Sequence, residues 1–304
     1  RKEYDVRRGT NNTRPSINLE LATHSFDADW KKSNANGLSS VIGIQTMAQQ
    51  NRNIPGTNTA HFVPNYDLYR GGVFIIESLE KAQNTFEVGA LYDYHYNSIK
   101  GREQSHELFE DNLSFQNFTL TLGYNRKISR ELNFRTNFGS AWRPPNVSEL
   151  YAFGKHEFSI EYGLWRYAFD ENDNISTRNV LTNDDRPVSP EKGLKWIGSL
   201  NYLNKNFDTE FTVFVNYIEN FINSRPRGIT NTVRGAFPFF VFEQSDALLM
   251  GADYSVKYDH SQNVSSILRG NYLWAKEVSD DSFFVGLPPG SISYEFNVEM
   301  PYIK

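Results

Sequence analysis

Six histidines are the first place to look for chemistry. His24, His61, His95, His106, His156 and His260 contain no pair at metal-ligand spacing. Cysteine is absent, which removes disulfides, a thiolate nucleophile and every Cys-ligated zinc or iron–sulfur site. There is no Gly-x-Ser-x-Gly, no P-loop and no Gly-x-Gly-x-x-Gly. The expectation is therefore no enzyme, no catalytic residue, no resident metal and no cofactor. Residues suited to holding something do occur. His156 sits in Gly154-Lys155-His156-Glu157-Phe158. Trp165-Arg166-Tyr167 places a cation between two aromatic rings, which suits an anionic aromatic chelate and equally suits anchoring a loop against a rim. Arg225-Pro226-Arg227 is a similar, weaker case. These six residues, His156, Trp165, Arg166, Tyr167, Arg225 and Arg227, are the candidate ligand-binding set. Asp170, Asn172 and Asn174 start a calcium-loop pattern, but Ile175 stands where glycine belongs and no glutamate closes it.

The elements that must position these residues read as strands. The chain has 304 residues and 15% aromatic content, with 23 Phe, 17 Tyr and 20 Gly, a composition that favours strands and turns. Net charge is −5, which argues against a nucleic-acid partner, since that footprint needs a clustered positive surplus. No run of 18 apolar residues exists, so no transmembrane helix is expected. A membrane β-barrel stays open, because its strands alternate and average out as polar.

Period-two alternation is clear at 85–96, 117–126, 252–258 and 291–300. In the first, Phe86, Val88, Ala90, Tyr92, Tyr94 and Tyr96 oppose Glu87, Gly89, Asp93 and His95. Further strands are expected at 16–26, 38–48, 70–80, 132–142, 194–203, 209–222 and 264–276, making about eleven. Several exceed the usual soluble strand of about 5–6 residues and match the about 9–11 needed to cross a bilayer at a tilt. Short turns near 28–37, 81–84, 128–131, 204–207 and 259–263 alternate strictly with long loops at 49–69, 98–114, 143–192, 223–244 and 277–289. Outer-membrane barrels have this order, with short periplasmic turns and long extracellular loops. The apolar set then faces lipid. The lumen receives Glu87, Asp93, Arg135, Lys195, Glu210, Asp253, Lys257, Arg269, Glu295 and Glu299. Barrels of about 22 strands hold a plug in the lumen.

Three segments carry a family resemblance. Ser140-Ala141-Trp142-Arg143-Pro144-Pro145-Asn146-Val147-Ser148-Glu149-Leu150-Tyr151 is similar to the strand-exit motif of TonB-dependent outer-membrane receptors, an aromatic-Arg-Ala-Pro run followed by Glu-Leu-Tyr. Arg186-Pro187-Val188-Ser189-Pro190-Glu191-Lys192-Gly193 resembles the family's Asn-Pro-x-Leu-x-Pro-Glu-Lys-Ser, with Arg186, Ser189 and Gly193 as departures. Arg234-Gly235-Ala236-Phe237-Pro238, Gln244-Ser245-Asp246-Ala247 and Gly251-Ala252-Asp253 resemble a loop that ends before a Gln-x-Asp-Ala strand. The prolines at 144, 145 and 190 cannot donate to a ladder, so the first two motifs frame the 143–192 loop.

The resemblance implies an all-β, antiparallel transmembrane β-barrel, with residues 1–304 as part of the barrel domain and part of a roughly 22-stranded whole. The plug domain and the C-terminal strands are expected outside this sequence. It implies residence in the bacterial outer membrane, in contact with its lipid, and energy-dependent uptake driven through the plug by the TonB-ExbB-ExbD complex. A ferric siderophore is the leading ligand, with haem, cobalamin or a glycan as alternatives. A passive porin, a structural surface barrel or a soluble β-rich binding module are readings from other classes.

Overall fold

The computed structural model describes residues 2–6, 15–56, 61–102, 107–156, 159–172, 174–177, 179–232, 235–280 and 282–299. Twelve strands form one antiparallel meander in chain order. Seven precede the long central loop: β1 (Lys2–Val6), β2 (Pro15–Ser33), β3 (Leu38–Asn53), β4 (Asn65–Lys81), β5 (Asn84–Arg102), β6 (Leu108–Lys127) and β7 (Leu132–Arg143). The loop holds α1 (Val147–Tyr151) and four short strands, β8 (Phe153–His156), β9 (Ser159–Tyr162), β10 (Ala168–Phe169) and β11 (Ile175–Ser176). The meander resumes with β12 (Glu191–Leu203), paired to β7, and runs through β13 (Phe207–Thr232), β14 (Gly235–Ser261), β15 (Val264–Glu277) and β16 (Ser291–Val298). Among the described residues β1 and β16 each have one neighbour, so the sheet has two edges.

All eleven expected strands are present, and β1 and the four short loop strands β8 to β11 are additions. The expected lengths fall short. β13 and β14 extend to 26 and 27 residues and consume most of the supposed 223–244 loop, which is a long hairpin instead. The 49–69 and 98–114 loops shrink likewise, because β3 runs to Asn53, β4 begins at Asn65, β5 runs to Arg102 and β6 begins at Leu108. Polar residues at these positions keep extended backbone where a ladder partner is available, and composition alone misread them as loop. At the turn end the chain reverses tightly. Gly37 has φ +83°, and a Cβ there would lie 2.2 Å from the Glu80 carbonyl oxygen, so only glycine fits.

Register fixes the two faces. Asp93 stands beside Gly72 on one side and Asn117 on the other, while Tyr92 stands beside Val73 and Phe118. The second row is the lipid-type face: Phe86, Val88, Tyr92, Tyr94, Phe118, Leu120 and Leu122 are all exposed. The first row is polar, as expected, and carries ion pairs such as Arg70–Asp93 between the neighbouring β4 and β5 and Arg135–Glu210, which reaches from β7 across β12 to β13. The apolar core lies elsewhere. At the loop end of the polar face, Tyr66, Leu68, Ile99 and Leu113 of the wall pack with Val147, Leu150, Tyr151, Leu164 and Trp165 of the loop segment. The 144–190 segment therefore folds inward, onto the lumen side of β4, β5 and β6.

Candidate functional site

Three sequence motifs converge to hold that segment. Arg143, the last residue of β7, donates from Nε to Glu191 Oε2 at 2.9 Å and pairs with Glu149 at 2.8 Å. Glu191 opens β12 and also accepts from the Ile222 amide of β13 at 2.8 Å. The first and second motifs are thus clamped by a charge-assisted fork, the geometry arginine supplies best. The third motif locks on through Gln244, whose Nε2 donates to the carbonyls of Ser189 and Asn220 at 2.8 and 2.9 Å. Asp246 accepts from Tyr217 Oη at 2.8 Å and from the Asn220 amide at 3.0 Å. Asn220 has φ +55°, and it bulges β13 so that two of its residues face one of β14.

Local chemistry builds the segment upward from the clamp. Pro144 and Pro145 end the ladder. Asn146 then caps α1, with its side chain accepting from the Ser148 amide and Glu149 returning a bond to the Asn146 amide at 2.8 Å. Buried Val147, Leu150 and Tyr151 face the wall. Gly163 is the close-approach point, since a Cβ there would fall 2.4 Å from the Leu150 carbonyl carbon. Tyr151 Oη donates to Asp111 of β6 at 2.8 Å, and burial together with that carboxylate pushes its hydroxyl pKa up.

The candidate residues fall into two groups. Trp165, Arg166 and Tyr167 are buried. The Trp165 indole donates to the Arg186 carbonyl at 2.8 Å and meets Tyr151 edge-on at 5.3 Å. The Arg166 guanidinium lies over Phe153 at 4.4 Å. Tyr167 donates to the Phe242 carbonyl at 2.9 Å, Arg186 lies over its ring at 4.4 Å, and burial pushes its hydroxyl up to about 12. These side chains fasten the segment to the wall and to the β13–β14 hairpin. Arg225 and Arg227 lie on that hairpin and share Glu243, with Asp280 2.8 Å from Arg225 and the Arg227 guanidinium 5.1 Å over Phe169. The structure therefore brings Arg227 to the Tyr167–Phe169 pair. His156 ends β8 and pairs in register with Ser159, and its side chain lies outside the described ones. His106 and Arg234 also lie outside the described residues. Asp170 accepts the amides of Asn172 and Asn174, both at 2.9 Å, so its oxygens are occupied from within the turn. Those donors hold its carboxyl below the ordinary value. No group of three or more His, Cys, Asp or Glu among the described residues suits a metal ion.

Sequence reasoning passed over one cluster. Asp93, His95 and Asn97 form a buried polar row on β5 beneath the Arg143–Val147 strap, facing a cavity of about 260 Å³. The signal was present in the alternation, where Tyr92, Tyr94 and Tyr96 take the lipid side and leave three polar groups opposite.

Comparisons with known proteins agree with this architecture. The family model described as "TonB dependent receptor-like, beta-barrel" matches residues 2–298. Among curated protein sequences, none matches the chain. Solved structures share the fold at low identity. The copper transporter OprC has a TM-score of 0.69 at 14% identity, over 97% of this chain and 44% of that one. The ferric yersiniabactin uptake receptor FyuA from Yersinia pestis gives 0.61 at 10%, over 94% and 41%. A double mutant of the Serratia marcescens hemophore receptor HasR, in complex with its hemophore HasA and heme, gives 0.60 at 12%, over 94% and 49%. The chain thus spans less than half the length of these structures.

Proposed function

The chain belongs to the TonB-dependent receptor β-barrel family, and from that premise we propose that it forms part of an outer-membrane receptor for energy-dependent uptake of a large, scarce ligand. The carrying observation is the inward fold of residues 144–190, clamped by Arg143, Glu191 and Gln244 over the polar face of the wall. A folded lid of side chains at the loop end, above a polar wall, suits capture outside and passage inward. A soluble module has no use for the row of exposed Phe, Val, Leu and Tyr on the other face. In this reading the barrel is completed, and a plug supplied, by chain outside these 304 residues. The TonB-ExbB-ExbD complex acts through that plug.

A ferric siderophore is the ligand proposed first, ahead of haem, cobalamin or a glycan. One solved neighbour, named for ferric yersiniabactin, supports this class, beside others named for copper and for heme. Arg225, Arg227 and His156 are proposed as contacts from the hairpin and loop rim. Trp165, Arg166 and Tyr167 set the shape of the segment from beneath. The test is uptake by cells expressing the intact receptor under iron limitation. Accumulation of labelled ferric chelate that stops when the proton gradient is collapsed is the expected result. Passive entry of small solutes, unaffected by the gradient, would sink the proposal in favour of a porin.

A further inference from the structure

An acid stands inside the apolar band of the wall. Glu77 of β4 alternates with Ile75 and Leu79, both exposed on the lipid-type face. β4 meets both neighbouring strands without a bulge, so Glu77 keeps that face. Its neighbour on β5 is Val88, exposed on the same side. Its neighbour on β3 is Ser40, whose hydroxyl donates to Glu77 Oε2 at 2.7 Å. Glu77 Oε1 accepts nothing among the described residues. Beyond Ser40 in the same row stands Lys32 of β2, which is exposed.

Neighbouring rows fix the depth of Glu77. One row toward the turns, Leu79, Phe86 and Tyr124 stand side by side. Tyr124 Oη donates to Asn84, one further row down, at 2.8 Å. A ring in the apolar band with its hydroxyl turned to polar groups marks a membrane–water boundary. Asn84 is flanked by Lys81 and Arg126, both exposed. One row in the other direction, Trp30, Ile42 and Ile75 continue the apolar surface. Rows lie about 7 Å apart along a strand. Glu77 is thus one row inside the boundary, and Lys81 is one row outside it.

Charge identifies what covers this spot. A carboxylate facing hydrocarbon is costly and calls for a partner. Lys32 lies two strands away, about 10 Å between backbones, and Lys81 about 14 Å along β4. Neither forms an ion pair with Glu77 among the described residues. The partner must therefore carry a cation for Glu77, an anion for the lysines, and chains that dissolve beside Trp30 and Ile42. An anionic headgroup without an amine would meet the Glu77 carboxylate. A quaternary ammonium has no N–H to give Oε1. A primary ammonium gives a charge-assisted hydrogen bond, and its phosphate then falls toward lysines whose long stems carry their charge to the boundary.

We propose that Glu77, with Lys32 and Lys81, is a binding site for an aminophospholipid with a phosphoethanolamine headgroup. The short turns of an outer-membrane barrel are periplasmic, so the lipid is drawn from the inner leaflet. The site goes beyond the uptake reading and is independent of what the receptor carries.

The test uses the full receptor, delipidated in detergent and offered phosphatidylethanolamine, phosphatidylcholine or phosphatidylglycerol, with bound lipid counted by native mass spectrometry. Phosphatidylethanolamine should be retained about tenfold better than the other two, the effect of one charge-assisted hydrogen bond. Glu77→Leu should abolish that preference and still fold into vesicles, since it continues the apolar surface. Glu77→Gln, which keeps an acceptor for Ser40, carries the same test should the leucine variant fail to fold. Lys81→Gln should weaken retention of phosphatidylethanolamine and leave the preference for the amine in place. The proposal is overturned by equal retention of the three lipids, by preference for phosphatidylglycerol, or by an amine preference that both Glu77 variants keep.

Discussion

The strand wall and the 144–190 segment solve opposite problems. The wall has no apolar interior of its own. Its large side chains point outward, as with Phe118, Leu120 and Leu122 on β6, and its other face carries ion pairs. The segment puts Trp165, Tyr151, Leu150 and Val147 among its most buried side chains and packs them on Tyr66, Ile99 and Leu113 of the wall. The wall depends on its solvent, a bilayer, and on ladder hydrogen bonds. The segment depends on packing, aromatic contacts and a few charge-assisted bonds. One can be expected to loosen without the other.

The largest effect is expected from Trp165→Ala. The indole is 1% exposed and donates to the Arg186 carbonyl. Truncating a buried tryptophan costs about 3–5 kcal/mol, which is enough to release the segment. Protease should then cut within 144–190 while the β circular dichroism of the wall in detergent stays unchanged. Loss of both signals together would mean that wall and segment are one cooperative unit.

Leu120→Arg reverses the attack. Leu120 faces outward on β6, and arginine on a lipid face costs about 2–4 kcal/mol near the bilayer midplane. Thr119→Arg, one residue away on the polar face, should cost far less. Urea-dependent folding into lipid vesicles measures both. Equal costs at the two positions would remove the assignment of faces.

Arg143→Ala tests the clamp between the regions. It leaves the Glu191 carboxylate, with its side chain 9% exposed, without its cation. Breaking a fully buried pair costs about 3–5 kcal/mol. Arg143 itself is 43% exposed, and surface pairs are worth about 0–1 kcal/mol, so about 2 kcal/mol is expected. Amide exchange at Ile222, which donates to Glu191, should quicken while exchange in mid-β5 does not.

The wall was legible in the sequence because its period is two and its turns are short. Phe86 to Tyr96 disclosed both faces of β5 without any partner in view. The flanking prolines and Glu191 marked where the segment starts and stops, but not that Arg143 and Glu191 would meet, since 48 residues separate them. Trp165-Arg166-Tyr167 looks the same in sequence whether it faces solvent or a core. Only the docking of α1 on Ile99 and Leu113 decides that the rings turn inward. Likewise 223–244 reads as loop because its Arg, Asn and Gly residues are polar or flexible, while the ladder to β14 that keeps it extended is a tertiary fact.

The smallest effect belongs to Asp170, at the outer tip of the segment, where neither packing nor bilayer contributes. Its carboxylate accepts the Asn172 and Asn174 amides, and those bonds favour the charged form, which holds its pKa below the ordinary aspartate value. A folded pKa below the unfolded one means that the contribution is complete above about pH 4 and fades as pH falls through the folded value. Exchange at those two amides should therefore rise below that range while exchange at the Trp165 amide, bonded to the Leu150 carbonyl, holds. Asp170→Ala should reproduce the acid behaviour at neutral pH. The turn meets the segment only through the β10–β11 hairpin and the Phe169 ring on Tyr167, so the Trp165 amide should not register the change. A simultaneous rise at Trp165 would show that the tip and the packed core of the segment open as one, and the contrast would then lie only between segment and wall.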